Sequence, residues 1–167
     1  MLERRDDKGQ KATLLDENPQ AFPPVFILAP VHRSGTNYLT YILLLHPNFQ
    51  LPNLIWEDHV LMRSQLLAKY ASQTSMSKGW AKEIRGDEDY SKSLLKHLGG
   101  GILSFLYEHI GKERRLLCKT PRGYHVGNFL RLFPNAKLLV LIRDGRDVVS
   151  SMVKIGRHRF VAFEWYA

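Results

Sequence analysis

Three clusters of basic and hydroxyl-bearing side chains lie where short apolar stretches of the sequence end. They occupy residues 30–37, 119–122 and 143–151. Guanidinium and ammonium groups, hydroxyls and the backbone N–H groups of a helix N-terminus all bind the oxygens of sulfate or phosphate. The three clusters together therefore predict a site for an anion, and they are more informative as a set than singly.

The first cluster combines a glycine-containing turn with the start of a predicted helix. A strand, a tight turn and a helix N-terminus present N–H groups and the positive end of the helix dipole to an anion. The phosphate loop G-x-x-x-x-G-K-[ST] is not matched, because no lysine follows Gly35 and Ala29 or Pro30 stands where its first glycine is expected. An ordinary turn with a Ser or Thr cap is the alternative. The candidate anion ligands are Arg33, Ser34, Gly35, Thr36 and Asn37.

The other two clusters add cations at the ends of two further predicted strands. Lys119 would neutralise charge on a group in transfer, whereas a solvated basic turn is the alternative. Arg143 directly follows an apolar stretch, and Ser151 lies eight residues later in a predicted helix. Helix capping accounts for Asp144 and Asp147, but it does not explain an arginine at the end of a buried strand.

The apolar pattern predicts three short buried strands that alternate with helices. This alternation predicts an α/β fold with a parallel sheet covered on both faces, in which ligands bind beyond the carboxyl ends of the strands. Residues 48–56 are expected to form a loop and 73–89 an exposed connection, and glycines 99–101 are expected to break or kink their helix. The strands are expected at 25–29, 115–119 and 137–142, and the helices at 36–46, 57–72, 90–110, 124–133 and from 144 onward.

Composition sets the broad class of protein. The 167 residues suit one domain, and 24 Lys and Arg against 16 Asp and Glu give a net charge of +8, which suggests an anionic ligand or partner. The single cysteine, Cys118, excludes an intrachain disulfide framework. The apolar runs are far shorter than the roughly 18 residues that span a bilayer, and the first residues do not resemble a secretory signal. We therefore expect a soluble, cytoplasmic protein.

The organisation along the chain is predicted to be simple. Residues 1–24 are charged and polar and are expected to form a flexible lead-in, and residues 25–167 are expected to form the domain. The sequence stops at Ala167 inside an aromatic-rich helical pattern without a terminating cap. That ending suggests a chain truncated at its C-terminus.

The motifs in segments 25–46, 115–122 and 137–152 together resemble the sulfotransferase family that uses the sulfate donor PAPS (3′-phosphoadenosine 5′-phosphosulfate). The turn at 33–36 resembles the family's 5′-phosphosulfate loop, and Arg143 with Ser151 resembles its 3′-phosphate-binding pair. The resemblance implies a three-layer α/β/α fold related to the P-loop nucleotide triphosphatases, here incomplete at its C-terminus.

The same resemblance implies a reaction and a role for each candidate residue. A sulfuryl group would pass from PAPS to an acceptor hydroxyl or amine, leaving adenosine 3′,5′-bisphosphate, and no metal would be required. Arg33 would contact the 5′-phosphosulfate, which residues 34–37 would cradle, while Arg143 and Ser151 would hold the 3′-phosphate. Lys119 would stabilise the transferring group.

The general base is the least determined part of this interpretation. Pro121 stands where many small-molecule sulfotransferases carry a histidine, and proline cannot accept a proton. Glu57 and His59 are the nearest candidates of suitable chemistry. The alternative for Glu57 is an acid favoured by the dipole at a helix N-terminus.

Other classes of function stay open from the sequence. One is a P-loop-like nucleotide kinase or hydrolase with a degenerate loop, another is a basic nucleic-acid-binding module, and a third is a non-catalytic fragment. The seven histidines are scattered without metal-ligand spacing, so no metal site is expected. We expect a small-molecule, glycan or lipid hydroxyl as the acceptor, and no nucleic-acid partner.

Overall fold

The computed structural model describes residues 22–53, 55–57, 59–80, 82–111, 113–120 and 122–154. The predicted lead-in, apart from its last residues, lies outside these ranges. Pro121 and the aromatic-rich stretch that ends at Ala167 also lie outside them.

The strands of the described part form one parallel sheet. They are β1 (Val25–Leu28), β2 (Phe49–Gln50), β3 (Arg115–Thr120) and β4 (Lys137–Val140), in the spatial order β2-β3-β1-β4. The central strand β1 aligns Val25 with Leu117 on one side and with Lys137 on the other. The predicted α/β class and parallel sheet are therefore confirmed.

Two details of the predicted strands are wrong. Residues 49 and 50, expected in a loop, pair with Arg115 and Leu116, and a strand of two residues is too short to show a period of two. The predicted strand 137–142 ends at Val140, although the Leu141 N–H still donates to the Leu28 carbonyl at 2.8 Å.

The helices follow the predicted order with shifted ends. The predicted helix at 57–72 begins three residues later, because His59 has a left-handed φ of 50° that is incompatible with a helix interior. The predicted helix at 124–133 is reduced to a 3₁₀ turn at Val126–Asn128 and one short helix, and another 3₁₀ turn lies at Lys82–Ile84. The helices are α1 (Thr36–Leu44), α2 (Val60–Ser75), α3 (Glu88–Tyr107), α4 (Phe129–Leu132) and α5 (Gly145–Lys154).

Helix α3 runs unbroken through glycines 99–101, so the predicted break is wrong. Asp87 starts this helix by accepting the Asp89 N–H at 2.8 Å. Gly99 is buried against the backbone of Leu132 in α4, where a Cβ would lie 2.1 Å from the carbonyl oxygen. The lost helix propensity is thus offset by a close packing of α3 on α4 that only glycine permits.

The sheet is covered on both faces. Phe26 and Leu28 join one core cluster with residues of β3 and of helices α2, α3 and α4. Val25 and Ile27 point to the other face and pack against α1. This burial on both faces explains why β1 is a continuous apolar run rather than an alternating one.

No helix within the described residues has the length and apolar character needed to cross a bilayer.

The carboxyl ends of β1, β3 and β4 lie at one edge of the sheet, because the strands are parallel. The N-termini of α1 and α5 follow two of these strands and lie at the same edge. The candidate site is built there.

Candidate active site

The turn between β1 and α1 has an unusual backbone. Both Arg33 and Gly35 have positive φ angles, 68° and 99°, and for an arginine this conformation is uncommon. Ser34 between them is buried, and its hydroxyl donates to the Val31 carbonyl at 2.8 Å. The turn is therefore closed by its own hydrogen bond, with the Arg33 side chain exposed.

The N-terminus of α1 begins at this turn. Gly35 is its N-cap, and no side chain among the described residues caps it. The first N–H groups of a helix have no partner inside the helix and carry the positive end of its dipole. Thr36 opens the helix, and its carbonyl accepts the Thr40 hydroxyl at 2.8 Å. This helix N-terminus therefore offers the backbone donors that an anion needs.

The first and third sequence clusters meet at this turn. Arg143 donates through Nη1 to the Arg33 carbonyl oxygen at 3.0 Å, and Arg33 donates through Nε to the Ser151 hydroxyl at 3.1 Å. Arg143 Nε also lies 3.8 Å from an Asp147 carboxylate oxygen. Three of the predicted anion ligands, separated by up to 118 residues in the chain, are thus brought together.

Asp144, beside Arg143, has the structural role that capping predicts. The Asp144 carboxylate accepts the Arg146 backbone N–H at 2.8 Å and pairs with the Arg146 guanidinium at 2.7 Å. These hydrogen bonds lower the pKa of the exposed Asp144 carboxyl and raise the pKa of Arg146. Both side chains therefore stay charged at the start of α5.

Lys119, at the end of β3, is a buried cation. Its side chain has no exposed surface, and its Nζ lies 3.1 Å from Glu57 Oε1. The same ammonium donates to Asn37 Oδ1 at 2.6 Å and lies 4.0 Å from the centroid of the Trp56 ring. A buried charge persists only where it is paired and hydrogen-bonded, and these three side chains supply that environment.

Glu57 and His59 are not equivalent in the structure. Glu57 contacts Lys119 with one oxygen, and its other oxygen lies 3.6 Å from His59 Nε2. His59 is more exposed than Glu57, and its Nδ1 lies 3.2 Å from the Met62 sulfur. Of the two candidate bases, Glu57 is the one that contacts Lys119.

A further basic side chain lies at the same edge. Arg122 donates through Nε to His32 Nε2 at 2.5 Å, and its guanidinium lies 5.8 Å from the Tyr124 ring.

Among the described residues, no group of three or more His, Cys, Asp or Glu side chains is arranged to hold a metal ion.

The predicted site residues therefore fall into two adjoining groups. Arg33, Arg143 and Ser151 form one, and Lys119 forms the other with Glu57, Asn37 and the adjacent His59. They are linked by the turn and first residues of α1, since Arg33 and Asn37 lie four residues apart. Trp56 was missed by sequence reasoning, and the available signal was its position directly before Glu57.

The geometry defines a class of protein: an α/β protein with the predicted anion-binding turn at residues 33–36, two arginines and a buried lysine–carboxylate pair at one edge of a parallel sheet. The profile of the sulfotransferase family matches residues 23–166. The chain therefore belongs to the sulfotransferase family.

Individual relatives agree with this assignment. The chain is 31% identical over 132 residues to protein-tyrosine sulfotransferase 1 of Homo sapiens, covering 78% of this chain and 34% of the relative. It is 31% identical over 134 residues to protein-tyrosine sulfotransferase 2 of Gallus gallus, with the same coverage of both chains. It is 26% identical over 146 residues to protein-tyrosine sulfotransferase of Drosophila melanogaster, covering 84% of this chain and 28% of that relative. The chain thus spans about a third of the length of these relatives.

Proposed function

We propose that this chain forms the donor-binding part of a sulfotransferase that uses PAPS and an acceptor hydroxyl. The observation that carries the proposal is the 3.1 Å contact between Lys119 and Glu57 beside the anion-binding turn. A cation for the transferring group and a carboxylate for the acceptor proton are the two charged groups that the reaction needs.

The residues at the sheet edge fit a donor with anionic groups at both ends. The uncapped N-terminus of α1 and Arg33 suit a 5′-phosphosulfate, and Arg143 with Ser151 suits a 3′-phosphate. The hydrogen bond from Arg33 to the Ser151 hydroxyl supports this proposal, because it joins one residue from each of the two predicted subsites. When bound, PAPS would supply an activated sulfuryl group.

The protein's own residues would then hold and neutralise charge. The α1 N–H groups, Arg33 and the turn around Ser34 and Gly35 would orient the 5′ end. Lys119 would donate a hydrogen bond to the oxygens of the transferring group, since its ammonium contacts Asn37 in the first turn of α1. Alignment and charge neutralisation are the main demands of this kind of transfer.

Glu57 is the proposed general base. Its carboxylate lies beside Lys119, and its side chain is 31% exposed and therefore reachable by an acceptor. His59 is the second candidate. Its Nε2 lies 3.6 Å from Glu57 Oε2, whereas Lys119 pairs with the other oxygen, Oε1.

The acceptor class is taken from the relatives. They are named protein-tyrosine sulfotransferases, so we propose that the phenol of a protein tyrosine is the acceptor. The small-molecule, glycan and lipid hydroxyls expected from the sequence are the alternatives. A competition assay between a tyrosine peptide and these hydroxyls would rank them.

Isothermal titration calorimetry with adenosine 3′,5′-bisphosphate tests donor binding directly. Arg143→Ala should weaken binding about tenfold to a hundredfold, because a hydrogen bond between charged groups is lost. Arg114→Ala is the matched control, because Arg114 is exposed and lies at the opposite, amino end of β3.

Two results would contradict the proposal. One is equal affinity of Arg143→Ala and wild type for adenosine 3′,5′-bisphosphate. The other is binding of magnesium adenosine triphosphate without binding of the bisphosphate, which would favour the kinase or hydrolase alternative.

A further inference from the structure

We propose that Trp56 is a positioning residue for Lys119. The inference rests on the proposed function, in which Lys119 acts on the transferring group. Neither the sequence motifs nor the names of the relatives assign a role to this tryptophan.

The geometry places an aromatic face against a cation with no exposed side-chain surface. Lys119 Nζ lies 4.0 Å from the centroid of the Trp56 ring, within the range in which a cation is attracted to the ring quadrupole. Two hydrogen-bond acceptors, Glu57 Oε1 and Asn37 Oδ1, contact the same ammonium. Trp56 and Glu57 are consecutive, so one loop delivers both a carboxylate and a ring to Lys119.

The ring has an effect that an acceptor atom would not have. A cation–π contact is less directional than a hydrogen bond, so the ammonium can rotate against the ring while the contact is kept. The indole also covers one side of the Lys119 ammonium, whose side chain has no exposed surface. Trp56 would therefore hold Lys119 in place while Glu57 and Asn37 accept two of its three N–H groups, which leaves one for the transferring group.

A second ring supports the first. The Tyr41 and Trp56 centroids are 5.8 Å apart with an interplanar angle of 41°, an ordinary geometry for interacting aromatic rings. Tyr41 belongs to α1, the helix that also carries Asn37. Both the ring and the amide that contact Lys119 are thus supported by the helix that follows the anion-binding turn.

The direct test is the chemical reactivity of Lys119 in the full chain. Wild type, Trp56→Phe and Trp56→Leu are treated with an amine-acylating ester, and modification of Lys119 is measured by peptide mass spectrometry. The rate should rise about tenfold in Trp56→Leu, since an apolar side chain without a π face cannot replace the interaction. Trp56→Phe retains a ring and should stay close to wild type.

Cys118 provides an internal control for unfolding. It is the neighbour of Lys119 in β3, is 1% exposed and packs on the opposite face of the sheet. A thiol reagent should leave Cys118 unmodified in all three proteins. Trp56→Met serves as a second non-aromatic variant if the leucine variant exposes Cys118.

Turnover provides an independent readout. With PAPS and a tyrosine peptide, Trp56→Leu should lower kcat about tenfold and leave the KM for PAPS within about twofold of wild type. Trp56→Phe should restore most of kcat.

The outcomes separate the two proposals. Equal protection of Lys119 in the phenylalanine, leucine and methionine variants would overturn the role of Trp56, whatever the turnover. A different outcome is that Lys119 shows the expected reactivity pattern, but the chain neither binds adenosine 3′,5′-bisphosphate nor transfers a sulfuryl group. That outcome would refute the proposed function and would still support the role of Trp56 in positioning Lys119.

Discussion

Lys119 is the residue on which the proposed chemistry of this site depends most. A lysine is rarely buried, because removing its charge from water is costly unless partners compensate. Here the carboxylate of Glu57, the amide oxygen of Asn37 and the ring of Trp56 surround the ammonium. An apolar residue at this position would avoid this cost, and the proposed function gives the charge a role.

Tyr107 is a second polar group in an apolar environment. Its hydroxyl is buried and has no hydrogen-bond partner among the described residues. Burial, and secondarily the neighbouring Cys118, raises the pKa of the Tyr107 phenol far above its usual range. An unsatisfied buried hydroxyl lowers the free energy of unfolding.

Tyr107→Phe should therefore raise the free energy of unfolding by about 1 kcal/mol at neutral pH. In the unfolded chain the Tyr107 phenol loses its proton at about pH 10, whereas in the folded protein it keeps the proton to higher pH. The unfolded state then binds fewer protons, so the stability of wild type should fall above about pH 10, and the variant should lose this part of the pH dependence. Urea unfolding between neutral and alkaline pH measures both effects.

Tyr70→Phe is the matched control for that measurement. Tyr70 is 55% exposed on α2, so its removal should leave stability nearly unchanged at neutral pH. A Tyr107→Phe protein that is clearly less stable than wild type would show that the hydroxyl makes a favourable interaction.

At the scale of the elements, the contact between α3 and α4 depends on one glycine. Gly99→Ala would place a Cβ 2.1 Å from the Leu132 carbonyl oxygen, and overpacking of this kind should lower the free energy of unfolding by about 1–3 kcal/mol. Gly101→Ala meets nothing within 4 Å and should raise it by about 0.5–1 kcal/mol through helix propensity. Chemical denaturation compares the two variants.

This pair of variants separates packing from propensity. Both replace glycine by alanine in the same helix, so propensity alone predicts the same sign for each. Two stabilised variants would mean that α3 does not pack on α4 as closely as the structure shows.

At the scale of the whole molecule, the parallel sheet gathers the three sequence clusters. The order β2-β3-β1-β4 places the end of β1 between the ends of β3 and β4. Arg33 therefore lies within reach of Ser151, 118 residues away, and Asn37 within reach of Lys119, 82 residues away. Part of the net charge of +8 is thereby concentrated at one edge.

A ligand that joins these clusters should stabilise the whole fold. At about 100 times its Kd, adenosine 3′,5′-bisphosphate should raise the free energy of unfolding by about 2.7 kcal/mol and Tm by about 5–10 °C. Adenosine 5′-monophosphate lacks the group that Arg143 and Ser151 would hold, so at the same concentration its shift should be less than half as large. Thermal unfolding with each ligand provides the comparison, and equal shifts would remove the proposed 3′-phosphate site.

Neither the structure nor the similarity to relatives tests some of the predictions made from the sequence. The cytoplasmic location, the lead-in at residues 1–24 and the extent of the domain to residue 167 remain predictions. The exclusion of metal and nucleic acid also remains a prediction, which binding measurements with each would test.

The sequence by itself determined three of the four described strands, their parallel arrangement and the three basic clusters. Continuous apolar runs such as 25–28 mark strands buried on both faces, and the turn at Arg33 and the pair Arg143 and Ser151 were recognisable from residue type and order. These features are local, so their signal lies within a few neighbouring residues.

Only the tertiary structure decided which of these side chains meet. The contact of Glu57 rather than His59 with Lys119, the ring of Trp56 over that lysine, and the packing of Gly99 on Leu132 all join residues far apart in the chain. Local periodicity carries no information about such pairs, because they arise when helices and strands pack and their side chains exclude water together.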